Sequence, residues 1–173
     1  MTLLYISVGS NTRREHYISS AYQALTQHFT QLRCSQVYES ESIGFCGDSF
    51  YNLVIEARTE LTLEQTIEVL KQIEDQHDRV RDGIKFSGRT LDLDLLLFGD
   101  LVCQQPVILP RPEITENAFV LLPLSELAPT MQHPELNIDF ASLWRQYNKP
   151  QKLWPIDYRA EQLPCQSHIA LEL

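Results

Sequence analysis

Leu91 to Phe98 reads LDLDLLLF, and no other stretch constrains the fold as tightly. An apolar run of this length, followed by Gly99-Asp100, predicts a buried β-strand. Alternation sends Leu91, Leu93 and Leu95 into a core and sets Asp92 and Asp94 together on the opposite face. At ~3.3 Å per residue the two carboxylates stand roughly 6–7 Å apart. Such a strand needs a sheet around it, a hydrophobic layer beneath it and something to offset two neighbouring negative charges.

The rest of the chain supplies partners for that strand. Leu3 to Val8 (LLYISV) is a second strand, stopped by Gly9-Ser10-Asn11. From Arg14 to about Phe29, apolar residues Ile18, Ala21, Tyr22, Leu25 and Phe29 fall at helical spacing. Leu32 to Glu41 is strand-like, Ser42 to Asp48 is a loop, and Phe50 to Ala57 (FYNLVIEA) is a further strand. Thr62 with Gln65 has the spacing of a capping box and opens a helix whose buried stripe is Ile67, Leu70 and Ile73, fading near Arg79. A polar loop, Arg81 to Gly88, leads into the LDLDLLLF strand. The order β-α-β-β-α-β predicts an α+β fold, a ferredoxin-like βαββαβ sandwich with an antiparallel sheet and helices on one face. Beyond it, Leu101 to Leu109 reads as a short edge hairpin, and helices are expected near Asn117–Leu124 and Asp139–Tyr147. Residues 1–150 form one domain in this reading, with 151–173 a C-terminal tail of little periodicity.

Composition narrows the function. The 173 residues are 43% hydrophobic and carry 14 Lys plus Arg against 23 Asp plus Glu, a net charge of −9. A chain that acidic lacks the basic field a phosphate-backbone binder needs, so nucleic acid is excluded as the main partner. Every apolar run falls short of the ~20 residues that span a bilayer, so no membrane partner is expected. Four scattered cysteines, Cys34, Cys46, Cys103 and Cys165, with no CxxC pair suggest reduced thiols and a cytoplasmic protein.

An isolated D-x-D is most often only the solvent face of an amphipathic strand. Here Arg79, Arg81, Lys85 and Arg89 cluster just upstream, around Gly83 and Gly88. Paired carboxylates suit Mg²⁺, which binds through one or two carboxylates plus substrate phosphates, and guanidinium forks suit the phosphates themselves. Arg79 and Arg81 at a helix end could equally complement the helix dipole, but Arg89, directly before the strand, is harder to explain that way. Phe50, Tyr51 and Asn52 combine aromatic surface with a side-chain amide, suited to a flat heterocycle, although such a run is more often ordinary strand. No P-loop, GxGxxG or GxSxG occurs.

Taken together, YISVGSN, FYNLVIE, the IE and RVR elements, GRTLDLDLLLFG and FVLLPLSELAP resemble the 6-hydroxymethyl-7,8-dihydropterin pyrophosphokinase family, in order over about residues 3 to 130. The resemblance implies an enzyme of folate synthesis that transfers pyrophosphate from ATP, the co-substrate, to the hydroxymethyl group of a dihydropterin, releasing AMP. It implies that Asp92 and Asp94 hold two Mg²⁺ ions and that Arg79 and Arg89 are catalytic. Asn52, Phe119, Phe50, Ser40 and Ile43 would bind the pterin. Glu74, Arg81, Lys85 and Arg111 would lie on the nucleotide side, and Asp82 to Gly88 would form a lid carrying Phe86. The chain departs from the family pattern at Arg111-Pro112, where His-Pro is usual, and at Asn117, where arginine is usual. It departs also at Pro106, Ile108, Asp78 and Gly88. Most of these changes gather on the ATP side. The alternative is therefore a divergent paralogue that binds pterin or Mg-nucleotide with little or no kinase activity. A monomer is expected, with a dimer open.

Overall fold

A computed structural model describes residues 1–41, 47–77 and 91–157. Its sheet is built around β1 (Thr2–Ser10), which pairs antiparallel with both β4 (Phe50–Thr59) and β5 (Asp92–Phe98). The far edge of β4 is shared by β2 (Thr30–Cys34) and β3 (Tyr38–Ser40), so the described strands run β5-β1-β4-β3, with β2 beside β4. This is the antiparallel ferredoxin-like arrangement expected from the element order.

One core lies between the sheet and helices α1 (Arg14–Thr26) and α2 (Leu63–Gln76). Leu4, Ile6 and Val8 of β1, Leu53, Ile55 and Ala57 of β4, and Leu93 and Leu95 of β5 meet Ile18, Ala21, Leu25, Leu70 and Ile73 there. Helix α2 starts where its sequence says it should. Thr62 Oγ1 accepts the Gln65 N–H at 3.2 Å, and Gln65 Oε1 accepts the Thr62 N–H at 3.0 Å.

Helices on one face alone were expected; the structure covers both. The second face carries Tyr5, Val54, Leu96 and Leu97, too apolar to leave in water. It is closed by α3 (Glu113–Glu116), α4 (Ala118–Leu127) and α5 (Phe140–Gln146) through Ile114, Val120, Leu121, Leu124 and Phe140. A register shift lets Leu95 pair with Ile6 and Leu97 with Tyr5, so Leu96 is an extra residue in β5 and joins this second core.

Three other expectations change. The stretch read as one strand, Leu32 to Glu41, is two, joined by Ser35, whose N–H and Oγ bond the carbonyl and N–H of Val54, each at 2.9 Å. The 101–109 hairpin contracts to a single Cys103–Leu109 bridge with two 3.0 Å bonds. Cys103 is a free thiol, but Cys34, fully buried, is disulfide-bonded, against the reduced state expected for all four; its partner lies outside the described residues. Within the tail, β6 (Leu153–Pro155) adds to the sheet beside β3.

Candidate active site

The second face of the sheet is apolar only where helix α4 covers it. Along β1, β4 and β5, alternate residues on that face run from Tyr5, Val54 and Leu96 beneath the helix to Ser7, Gly9, Asn52, Asp94 and Asp92 beyond its N-terminus. The sequence thus changes from apolar to polar at the point where the helical cover stops. A cavity of about 260 Å³ opens there, lined by Ser7, Val8, Gly9, Ser40, Glu41, Phe50, Asn52, Asp92, Asp94, Phe119 and Val120.

Gly9 makes the floor. It pairs with Asp92 on one side and Asn52 on the other, so these two side chains stand two strands apart, roughly 9–10 Å, with no side chain between them. A Cβ at Gly9 would stand 3.6 Å from Asn52 Oδ1, in ordinary contact, and a longer side chain would grow into the cavity. Ser7 pairs with Asp94 in the next row. Neither Ser7, Gly9 nor Glu41 was singled out from sequence; Ser7 and Gly9 join the site through their pairing with Asp94 and Asp92, and Glu41 follows the end of β3.

One end of the cavity suits a flat, polar ring. Asn52 is buried, and its amide is fixed by donation from Nδ2 to Ser40 Oγ at 2.9 Å, with longer bonds to the carbonyls of Tyr38 and Phe50, both 3.4 Å. The aromatic side chains of Phe50 and Phe119 line the same space, and Asn52, Ser40, Phe50 and Phe119 are thereby brought together as a set.

The other end is anionic. Asp94 is half-buried, and its carboxyl is pushed above the ordinary range, first by burial and then by the like charge of Asp92; the Arg111 guanidinium works in the opposite direction. Arg111 Nη2 donates to Asp94 Oδ1. Its Nε is buried without a hydrogen bond among the described residues, and Glu113 Oε2 lies 3.7 Å away. Glu74 is not part of the cavity lining. Its buried carboxylate, on α2, accepts the Leu93 N–H at 2.8 Å, which pins the strand between the two aspartates. Arg79, Arg81, Lys85 and Arg89, the lid 82–88 and Ile43 lie outside the described residues.

The donor set fits a hard divalent ion in one way only. Among the described residues no group of three or more His, Cys, Asp or Glu could hold a metal by itself. Two carboxylates at the mouth of a cavity fit Mg²⁺ if the remaining oxygens come from water and a substrate phosphate, the usual manner of magnesium in phosphoryl chemistry.

Comparison with known proteins follows the same lines. Residues 5–129 match the family model of 7,8-dihydro-6-hydroxymethylpterin-pyrophosphokinase. A Bacillus subtilis protein named 2-amino-4-hydroxy-6-hydroxymethyldihydropteridine pyrophosphokinase is 32% identical over 153 residues, covering 83% of this chain and 91% of the relative. One of the same name from Aquifex aeolicus is 31% identical over 78% of this chain and 85% of its own. Among solved structures, a wild-type Plasmodium falciparum HPPK-DHPS superposes with a TM-score of 0.70 at 15% identity, over 84% of this chain. That likeness concerns the fold, and this chain spans only 44% of the length of that structure.

Proposed function

The chain belongs to the 7,8-dihydro-6-hydroxymethylpterin-pyrophosphokinase family, and from that premise we propose how its cavity carries out the family's reaction. It is an ATP-dependent diphosphotransferase of folate biosynthesis, moving pyrophosphate from ATP to 6-hydroxymethyl-7,8-dihydropterin with release of AMP. ATP and magnesium are what kinases of this family use; two ions, and the residues that hold them, are our proposal.

Phe119 and Phe50 bracket the pterin ring, and the Asn52 amide, held by Ser40, reads its hydrogen-bonding edge. This sets the hydroxymethyl group toward Asp92 and Asp94, across the bare floor at Gly9. Those two carboxylates hold two Mg²⁺ ions together with the triphosphate. Bound Mg²⁺ supplies charge neutralisation at the phosphate oxygens and orients them for in-line displacement. The pterin oxygen bonds to the β-phosphorus, the bridge to the α-phosphate breaks, the hydroxyl proton is released and AMP leaves. Arg79 and Arg89 are proposed to stabilise the transferring group, with Arg81 and Lys85 on the nucleotide side.

The observation that supports this most is a single cavity with an amide and two aromatic rings at one end and a carboxylate pair at the other. Purified protein given ATP, Mg²⁺ and the pterin should release AMP only when the pterin is present. Binding of both substrates without AMP would instead identify a binding-only relative.

Arg111 is proposed to pass from Asp94 to a phosphate oxygen when nucleotide arrives, replacing the family's usual histidine with a permanent charge. Arg111→Ala should weaken binding of an unreactive ATP analogue about tenfold or more, the worth of a hydrogen bond to a charged group. Unchanged affinity would contradict that role.

All proposed groups come from one chain, consistent with a working monomer. No helix among the described residues is long and apolar enough to cross a membrane. We place the activity in the cytoplasm, where ATP is supplied.

A further inference from the structure

Helix α4 lacks a cap of its own. Asn117, at its N-cap position, makes no side-chain capping bond, and the first N–H groups of any helix need an outside acceptor. Gln151 supplies one from far along the chain. Its Oε1 accepts the Ala118 N–H at 2.6 Å, while its Nε2 donates to the Glu116 carbonyl at 3.3 Å. Ala118 directly precedes Phe119, the aromatic wall of the cavity.

A few residues later the same segment reaches the opposite wall. β6 pairs with β3, setting Leu153 against Ser40 and Trp154 against Glu39. Trp154 Nε1 donates to Glu39 Oε2 at 2.8 Å, and Lys152 Nζ lies 3.5 Å from Glu41 Oε1. Ser40 holds the Asn52 amide, and Glu41 lines the cavity. Beyond the strand, the Ile156 N–H donates to the Val37 carbonyl at 2.9 Å, and Gln36 Nε2 donates to the Ile156 carbonyl at 2.6 Å. Both walls of the ring-binding end are thus tied to one stretch, 151–156, that touches neither Asp92 nor Asp94 through any of these bonds.

We propose that residues 151–156 are a strap that sets the separation of the two walls of the pterin pocket, with Gln151 the positioning residue on the Phe119 side and Trp154 on the β3 side. The inference rests on the reading that this end of the cavity takes the pterin. A strap of this kind acts on pterin affinity and leaves the metal–nucleotide end alone. An amphipathic strand added only to shield a sheet edge would change stability without that selectivity.

Calorimetric titration of the full chain with the pterin, and separately with an unreactive Mg-ATP analogue, tests it. Gln151→Ala should weaken pterin binding about tenfold, the order of effect of losing a helix cap, with the analogue's Kd within about twofold of wild type. Gln151→Glu keeps an accepting oxygen at a helix N-terminus and should restore pterin binding to within about threefold. Trp154→Phe, which keeps the ring and loses the bond to Glu39, should also weaken the pterin alone and carries the test if Gln151→Ala fails to fold. Unchanged pterin affinity in Trp154→Phe and in folded Gln151→Ala, or equal losses for pterin and analogue, would overturn the strap. If the wild-type chain itself did not bind the pterin, the functional reading of the cavity would fall instead.

Discussion

Asp94→Ala is expected to lower turnover by about a thousandfold or more, and Asp92→Ala by a comparable factor, because each removes a ligand through which several kcal/mol of phosphate repulsion is offset. The structure allows that loss to be separated from a loss of folding. Burial and the neighbouring Asp92 charge hold the Asp94 carboxyl above its ordinary range. A carboxyl whose folded pKa is raised favours folding in its protonated form, and that advantage disappears as pH rises through the folded value. Where Asp94 is ionised, its charge therefore works against the fold, partly offset by Arg111. Asp94→Asn keeps the shape and removes the charge, so its Tm should match or exceed that of wild type while AMP formation collapses. A stability–activity opposition of this kind is usual where charge is concentrated for function. Asp94→Asn with full turnover would discard the metal-ligand role. A steep fall in Tm accompanying the lost activity would mark Asp94 as structural.

Asn52→Ala should raise the KM for the pterin about a hundredfold and leave kcat within a few-fold, since recognition groups left without partners in a buried site cost about 1–3 kcal/mol each. The amide is buried and already oriented by Ser40, so it meets the ring without first being ordered. The variant also leaves the Ser40 hydroxyl without its amide donor, which adds to the cost. Steady-state kinetics at saturating Mg-ATP check this expectation. An unchanged pterin KM would remove Asn52 from the binding site, and a fall in kcat alone would move it to the chemical step.

The β5 strand was legible because its alternation carries both signals at once: leucines for the core and aspartates for the site. The capping box at Thr62 was legible for a local reason too, since its two hydrogen bonds depend only on residues three apart. What could not be read depends on partners distant in sequence. Tyr5 and Val54 look like ordinary strand residues until α4, more than sixty residues later, shows that a second core exists. Ser35 interrupts a strand pattern yet keeps the β4 ladder through its own side chain. Gly9 reads as the end of a strand, and only its pairing with Asp92 and Asn52 makes it a cavity floor. Residues 151–156 show no periodicity, because six residues with Pro155 among them and a three-residue strand carry too little pattern to register. The aromatic, amide and carboxylate residues named for the site do converge, whereas Glu74 acts on the α2 side of β5, where one hydrogen bond to Leu93 fixes the strand.

Calorimetric titration with an unreactive ATP analogue, with and without Mg²⁺, on the wild-type chain and on Asp94→Asn, addresses the central claim most directly. The carboxylate pair should make nucleotide binding depend on the metal: tight binding by the wild type with Mg²⁺, binding at least tenfold weaker without it, and little gain from Mg²⁺ in the variant. Equal affinity of both proteins, with or without the metal, would contradict the claim that Asp92 and Asp94 hold the triphosphate through divalent ions.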